Sequence, residues 1–192
     1  HKGTERIAVN FIGDGAVNEG EFHEALNLAA VWKLPVLFIV ENNFYGMGTA
    51  MRRVSALVEI YKRAEAYGIH SEQVDGMDVE AMYEAVERLS ARVRAGEPVF
   101  LEAICYRFRG HSMADPEFYR TKEDVERWRR FDPIQQLKAR MIANGDIDEA
   151  AFAQMQEEAD AMAIAAAQFA EESAPPSPDT LLRYVYKENA GA

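Results

Sequence analysis

The sequence lacks most of the features that mark secreted, membrane-spanning or nucleic-acid-binding proteins. It has a single cysteine, which rules out an internal disulfide and is typical of a reducing compartment. No apolar run is long enough to cross a membrane, and no signal peptide is visible. Basic residues number 21 against 32 acidic ones, a net charge of −11. Nucleic acids and anionic membranes attract clustered Lys and Arg, so neither is expected as the main partner.

The hydrophobic content of 48% is sufficient for a core in a chain of 192 residues. Cys105 lies in the apolar run from Val99 to Tyr106, where we expect it to fill the core and not to act as a nucleophile. The chain opens with His1-Lys2-Gly3-Thr4 and reaches a buried-strand pattern almost at once. We therefore expect that an upstream part of the same domain precedes it.

The first forty residues predict a βαβ unit. An apolar run from Arg6 to Ile12, ended by Gly13, indicates a buried strand. Apolar residues then recur at helical spacing from Glu19 to Lys33, until Pro35 ends the helix. The next run, Val36 to Val40, lacks alternation, as in a parallel strand that is covered on both faces.

The elements that follow extend this pattern to an open, doubly wound α/β sheet, mostly parallel. We expect helices from Leu57 to Tyr67 and from Val79 to Ala95, and a strand from Val99 to Tyr106. His23 lies within the first helix, whereas His70 lies near a predicted turn without an evident partner.

The last third of the chain is predicted to be mainly helical. An irregular charged loop from Arg107 to Arg120 precedes it, and unstructured loops of this length are often functional. From Asp148 to Glu172, apolar residues spaced three and four apart form a narrow seam, which suits either a partner helix or the chain's own sheet. Shorter helices are expected after Thr121 and after Asp132-Pro133, and an edge strand from Leu181 to Tyr186. We expect residues 1–130 to be the C-terminal part of a cofactor-binding domain, and residues 131–192 to be its helical extension.

Two short polar motifs follow the first two strands. Gly13-Asp14-Gly15 ends the first strand, Asn42-Asn43 ends the second, and residues 16–41 separate them. Ligands of open α/β sheets bind at the carboxyl ends of strands, so Asp14 and Asn43 should meet in one crevice. A carboxylate and an amide oxygen are ligands suited to magnesium, and the glycines allow a phosphate to approach the backbone. The spacing therefore predicts a magnesium diphosphate site.

The motif and its surroundings resemble one family over nearly the whole chain. Gly-Asp-Gly, twenty-six residues and Asn-Asn is the thiamine diphosphate motif of the transketolase-like superfamily. Within that superfamily, the chain looks like the alpha subunits of pyruvate dehydrogenase in the stretches 13–20, 27–35, 41–49, 74–78, 106–116 and 119–120. The resemblance implies the transketolase-like fold, here truncated at its N-terminus and followed by C-terminal helices.

The resemblance also implies a role for each site residue. Asp14 and Asn43 would bind Mg²⁺ through their side chains and Tyr45 through its backbone carbonyl, while Gly15 and Ala16 would lie against the diphosphate of thiamine diphosphate. His111, in the irregular loop, would reach the cofactor and assist acyl transfer to lipoamide, which requires a proton donor at neutral pH.

The implied activity is oxidative decarboxylation of pyruvate with acyl transfer to lipoamide. The partners would be a beta subunit, which supplies the acid that activates the cofactor, and a lipoyl-bearing acyltransferase. This chain should therefore be inactive alone. The location would be the bacterial cytoplasm, or the mitochondrial matrix in a eukaryote. Ser112 matches a position phosphorylated in mitochondrial relatives, but two other such positions are lost, so we predict no kinase control.

Two alternatives stay open from the sequence. The same chemistry could act on branched-chain 2-oxo acids or acetoin, although the residues around Tyr45 and His111 favour pyruvate. The chain could instead be a noncatalytic scaffold subunit, which the intact Asp14, Asn43 and His111 argue against. A nicotinamide-binding domain is excluded because no Gly-x-Gly-x-x-Gly follows the first strand.

Overall fold

A computed structural model describes residues 4–183 and 185 of the chain. The chain divides into two compact units, with the boundary between residues 140 and 141. In chain order the elements are β1 (Ala8–Gly13), α1 (Gly20–Trp32), β2 (Val36–Asn42), β3 (Tyr45–Gly46), β4 (Thr49–Ala50), α2 (Tyr61–Glu65), β5 (His70–Asp75), α3 (Val79–Arg94), β6 (Val99–Ile104), α4 (Lys122–Arg129), α5 (Pro133–Asn144) and α6 (Glu149–Glu172).

The first unit contains a four-stranded sheet in the order β1-β2-β6-β5, and all three pairings are parallel. Ile39 in the middle of β2 lies opposite Phe11 of β1 and Leu101 of β6. The short strands β3 and β4 form a separate antiparallel hairpin directly after β2. The predicted α/β class and the predicted βαβ unit at the start of the chain are both confirmed.

Alternate residues of β2 pack into cores on opposite faces of the sheet, which makes the fold doubly wound. Phe38 and Val40 belong to a core that includes Leu26 of α1, while Leu37 packs with Leu89 of α3 on the other face. Leu26, Leu37 and Leu89 are fully buried. Burying one such side chain contributes roughly 1.5–3 kcal/mol. The continuous apolar run of β2 is therefore explained by burial on both faces.

β1 lies at the edge of the sheet and is more exposed than β2. Val9 and Phe11 are 45% and 64% exposed, although both belong to an apolar run. An exposed apolar edge strand of this kind is able to pair with a further strand.

Two local predictions in the first unit are wrong. The helix predicted from Leu57 to Tyr67 is reduced to Tyr61–Glu65, because its first N–H, that of Tyr61, donates to the buried carboxylate of Glu102 and fixes the start there. A turn does precede His70, at residues 66–68, but His70 begins β5 and has a partner, because its Nε2 lies 2.6 Å from Glu72 Oε1. The polar sequence of β5 gives no hydrophobic pattern, so pairing with β6 decides its structure.

Cys105 follows β6 and is half-buried. Burial is the main reason that the pKa of its thiol is raised to about 11, and the charges of Glu41 and Asp14 add to the effect. A thiol that stays protonated at neutral pH is a poor nucleophile, as expected from the sequence.

The helices expected after Thr121 and after Asp132-Pro133 are confirmed, and side chains cap both starts. The Thr121 hydroxyl accepts from Asp124 N at the start of α4, and Asp132 Oδ1 accepts from Ile134 N and Gln135 N at the start of α5. Each of these side chains satisfies backbone donors that a helix start leaves unpaired.

In the second unit, α6 begins after Asp148, whose Oδ1 accepts from Ala151 N. Met155, Met162 and Phe169 of the predicted seam are at least half exposed, and contact with a partner helix stays a prediction. The strand predicted from Leu181 to Tyr186 is wrong where it can be compared, because residues 181–183 and 185 form turns, and the others lie outside the described residues. Among the described helices, none is long and apolar enough to cross a bilayer.

Candidate functional site

The two polar motifs meet at the carboxyl ends of β1 and β2. Asp14 directly follows β1, and Asn42 is the last residue of β2. Asp14 N donates to Glu41 O at 3.3 Å, which continues the pairing of the two strands into the loops. The N–H of Asn43 also points to the Asp14 carboxylate. The structure therefore brings Asp14 and Asn43 together, as the spacing predicts.

The Asp14 carboxylate is buried, with 1% of the residue exposed. Burial is the largest influence on its pKa and raises it, while the N–H groups of Asp14, Asn43 and Gly15 and the positive charge of Arg107 oppose that rise. Among the described residues, Asp14 Oδ2 has no hydrogen-bond partner. A buried carboxylate oxygen without a donor is unfavourable, and a bound cation would satisfy it.

Gly15 and Gly46 hold the Asp14 loop against the β3–β4 hairpin. A methyl group on Gly15 would lie 2.9 Å from Gly46 Cα, closer than side chains come to backbone. The two backbones can approach because neither residue has a side chain. Ala16 begins the short 3-10 turn Ala16–Asn18, directly after Asp14 and Gly15.

The turn that follows β2 presents the other predicted ligands. Asn43 Oδ1 accepts from Tyr45 N at 3.3 Å, and Phe44 between them has a left-handed φ of 72°. Asp14, Asn43 and the Tyr45 carbonyl would together offer carboxylate, amide and carbonyl oxygens, which are ligands for a hard cation. Among the described residues, no group of three or more His, Cys, Asp and Glu side chains could hold a metal.

Glu102 of β6 is a residue of the site that the sequence did not reveal. It is completely buried, and its Oε1 accepts from Asn42 Nδ2 at 2.6 Å. Its Oε2 accepts from Tyr61 N and Gln73 Nε2, both at 3.1 Å. The sequence did contain one indication of this role, which is a lone carboxylate within the apolar run of β6. A carboxylate at such a position is seldom buried unless it is paired.

The irregular loop is organised around Asp115. Its Oδ2 accepts from His111 N and from the Tyr119 hydroxyl, both at 2.7 Å, and its Oδ1 accepts from Glu117 N at 2.9 Å. These hydrogen bonds lower the pKa of Asp115 to about 2, and the bond from His111 N has the largest effect. A methyl group on Gly110 would lie 2.9 Å from Asp115 Cβ, so the loop is also tightly packed there.

Arg107 links this loop to the rest of the site. It donates from Nη2 to Met47 O at 2.8 Å and to the Tyr119 hydroxyl at 2.9 Å. Its Nη1 lies 3.5 Å from His111 Nδ1. A guanidinium group can only donate, so Nδ1 would be the acceptor wherever this long contact is a hydrogen bond. Arg107 thus contacts the β3–β4 hairpin and lies beside the exposed His111, and its positive charge also acts on Asp14.

Several cavities adjoin these residues, and two of them are closest to the predicted site residues. One, of about 680 Å³, is lined by Asn42, Tyr45 and the stacked rings of Tyr106 and Trp128, among others. The other, of about 490 Å³, is lined by His111, Ser112, Met47 and their neighbours. Small molecules could therefore approach both the turn after β2 and the loop histidine.

Comparison with known proteins gives a consistent result. The dehydrogenase E1 component family matches residues 1–179. The alpha subunit of the pyruvate dehydrogenase E1 component from Rickettsia bellii (strain RML369-C) is 40% identical over 187 residues, which cover 97% of this chain and 57% of that protein. The same subunit from Rhizobium meliloti (strain 1021) is 42% identical over 93% of this chain and 51% of its own length, and that from Porphyra purpurea is 40% identical over 97% and 55%. The chain thus spans about half the length of these relatives.

Proposed function

Because the chain belongs to the dehydrogenase E1 component family, we propose that it is the part of an alpha subunit that binds magnesium and the diphosphate of thiamine diphosphate. The complete protein would catalyse oxidative decarboxylation of pyruvate and transfer the acyl group to lipoamide. The observation that carries the proposal is the buried Asp14 carboxylate, whose Oδ2 has no hydrogen-bond partner among the described residues, beside Asn43 at the end of two adjacent parallel strands.

The residues present fit this cofactor. Asp14 Oδ2 and Asn43 Oδ1 would bind Mg²⁺ together with the Tyr45 carbonyl, and the remaining positions suit phosphate oxygens and water. The small residues Gly15 and Ala16 allow the diphosphate to lie close to the backbone. The charge of Arg107, which already acts on Asp14, would help to balance the negative charge of the bound group.

Thiamine diphosphate supplies the electron sink that decarboxylation of a 2-oxo acid requires. This chain would hold the diphosphate and contribute the loop histidine. His111 would donate a proton from its imidazolium form to a sulfur of the lipoyl group during acyl transfer, which leaves the neutral ring. Asp115 would support that role, since it accepts from His111 N and holds the loop in place.

The partners we propose are a beta subunit, which supplies the remaining catalytic groups, and an acyltransferase that carries the lipoyl arm. Both belong to the complete enzyme, whose relatives are about twice the length of this chain. The exposed seam of α6, with Met155, Met162 and Phe169, is a candidate surface for subunit contact.

The test is release of carbon dioxide from a panel of 2-oxo acids by the complete subunit with its beta partner, thiamine diphosphate and Mg²⁺. We expect a strong preference for pyruvate and loss of activity in the Asp14→Ala variant. Asp75→Ala is a matched control, because Asp75 is an exposed carboxylate at the end of the parallel strand β5, outside the site.

The other outcomes are equally informative. Preference for a branched-chain acid, or turnover of acetoin, would keep the chemistry and change the substrate. No release from any acid, or equal activity in the Asp14→Ala variant, would contradict the proposal and favour a scaffold subunit.

A further inference from the structure

Glu102 is an acidic residue whose side chain only accepts hydrogen bonds among the described residues. It is fully buried, and both of its oxygens accept hydrogen bonds, from Asn42 Nδ2, Tyr61 N and Gln73 Nε2. All three partners are donors in these contacts. Gln73 lies directly opposite Glu102 on β5, and Asn42 lies at the end of the other neighbouring strand, β2. The carboxylate therefore joins both neighbours of β6.

The Asn42 amide passes this constraint to the turn that follows β2. Its Nδ2 donates to Glu102 Oε1 at 2.6 Å, and its Oδ1 accepts from Phe44 N at 3.1 Å. Only one orientation of the amide satisfies both contacts, because Glu102 accepts and Phe44 N donates. Phe44 has a φ of 72°, an uncommon conformation for a bulky residue, which surrounding contacts must hold. Asn43 and Tyr45 flank it.

Glu102 also acts on the loop that follows β1. Arg63 donates to Val17 O and to Asn18 Oδ1, both at 2.8 Å, and so holds the 3-10 turn after Asp14 and Gly15. Burial lowers the pKa of Arg63, and the negative charge of Glu102 opposes that effect. Glu102 thus binds the residue that begins the turn carrying Asn43, and its charge also acts on Arg63, which holds the loop after Asp14.

We propose that Glu102 is a positioning residue for the magnesium diphosphate site, acting through Asn42 on the orientation of Asn43 and Tyr45. The inference rests on the proposed function. A buried charge is seldom the most stable way to fill a core, and an apolar residue of similar size is often as good or better. Groups behind metal ligands fix the orientation of those ligands, and their replacement costs roughly 10–100-fold in metal affinity.

The Glu102→Gln variant tests the orientation directly. If the new amide keeps its oxygen towards Tyr61 N and Gln73, its NH₂ group faces the NH₂ group of Asn42, and two donors meet. Asn42 must then turn over, and its contact with Phe44 N is lost. We expect a dissociation constant for Mn²⁺, and for thiamine diphosphate at fixed Mg²⁺, that is about 10-fold higher or more.

The measurements use the complete subunit with its beta partner. Electron paramagnetic resonance follows Mn²⁺ binding, and calorimetry follows thiamine diphosphate, so neither readout depends on turnover. The double variant N42D/E102Q should restore affinity to within about 3-fold, because the new amide then donates to the new carboxylate, which still accepts from Phe44 N. Gln73→Ala is the control, since it removes a bond to Glu102 and leaves Asn42 paired. It should change affinity less than about 3-fold.

Wild-type affinity in E102Q would overturn the inference. So would failure of the double variant to restore affinity, or an equal loss in Q73A, because the effect would then be a general loosening of the core. Should E102Q not fold, the double variant decides alone: wild-type affinity supports the inference and weak binding overturns it. If the wild-type protein itself binds neither Mn²⁺ nor thiamine diphosphate, the proposed function fails first.

Discussion

Replacing Gly15 by alanine should move the β3–β4 hairpin away from the Asp14 loop. Gly15 has φ −66° and ψ −34°, which any residue adopts, so the substitution introduces no backbone strain of its own. The added methyl group would, however, lie 2.9 Å from Gly46 Cα. Carbon atoms pack best about 3.5–4.0 Å apart, so the two backbones must separate by roughly 0.6–1.1 Å. Overpacking of this kind typically costs about 1–3 kcal/mol.

Gly13, in the same motif, is the matched control. A methyl group there would have no atom within 4 Å, and its φ lies outside the left-handed region. Gly13→Ala should be neutral or should stabilise the protein by up to about 1 kcal/mol, because alanine restricts the unfolded chain. The two glycine substitutions are therefore expected to change the free energy of unfolding in different directions.

The assay is thermal unfolding of the complete subunit without cofactor, where 1 kcal/mol corresponds to about 2–4 °C for a domain of 150–250 residues. G15A should melt several degrees below G13A. A titration with Mg²⁺ and thiamine diphosphate should then show weaker binding by G15A, since Tyr45 moves with the hairpin. Equal melting temperatures for the two variants would refute the reasoning, because the contact with Gly46 would then be relieved without cost.

Two further substitutions test the electrostatics of the site. Burial raises the pKa of Asp14, so ionising it weakens the folded protein as pH rises. Without cofactor, D14N should therefore melt above wild type at neutral pH, and the difference should shrink at acidic pH. Mg²⁺ and thiamine diphosphate at 100 times their wild-type dissociation constant should stabilise wild type by about 2.7 kcal/mol. D14N should lose this stabilisation. Asp115, with a pKa of about 2, should hold the loop until the pH falls towards that value. D115N should lose the bond from His111 N or from Tyr119, and limited proteolysis should cut the loop faster at neutral pH. An unchanged cleavage rate would contradict the role given to Asp115.

Elements with apolar periodicity could be predicted from the sequence. The runs of β1, β2 and β6 and the helical pattern of α1 each predict their structure, because burial selects apolar residues at those positions. Asp14 and Asn43 could be predicted to meet because one helix joins two strands that then lie side by side. Local residues and one short connection were sufficient for this part of the site.

Elements whose structure depends on distant residues could not be predicted. β5 contains one apolar residue, Val74, and forms a strand because β6 offers it a paired edge. The helix predicted from Leu57 is short because Glu102, 41 residues after Tyr61, binds its first N–H. In both cases a tertiary contact outweighs the local pattern, and no spacing in the sequence reveals the contact.

The order of the strands explains why Glu102 and Arg107 belong to the site while Asp75 does not. β6, and not β5, is the neighbour of β2, although β5 comes first in the chain. Residues in β6 and just beyond it therefore lie under and beside the turn after β2, where Glu102 binds Asn42 and Arg107 binds Met47 O. Asp75, at the end of β5, is one strand further away, and its Oδ1 accepts from Met77 N instead. Each of the three adjacent strands β1, β2 and β6 thus contributes at least one residue to the site, in the strand or just beyond it. A substitution in β6 that shifts its register would consequently disturb metal binding more than the same shift in β5.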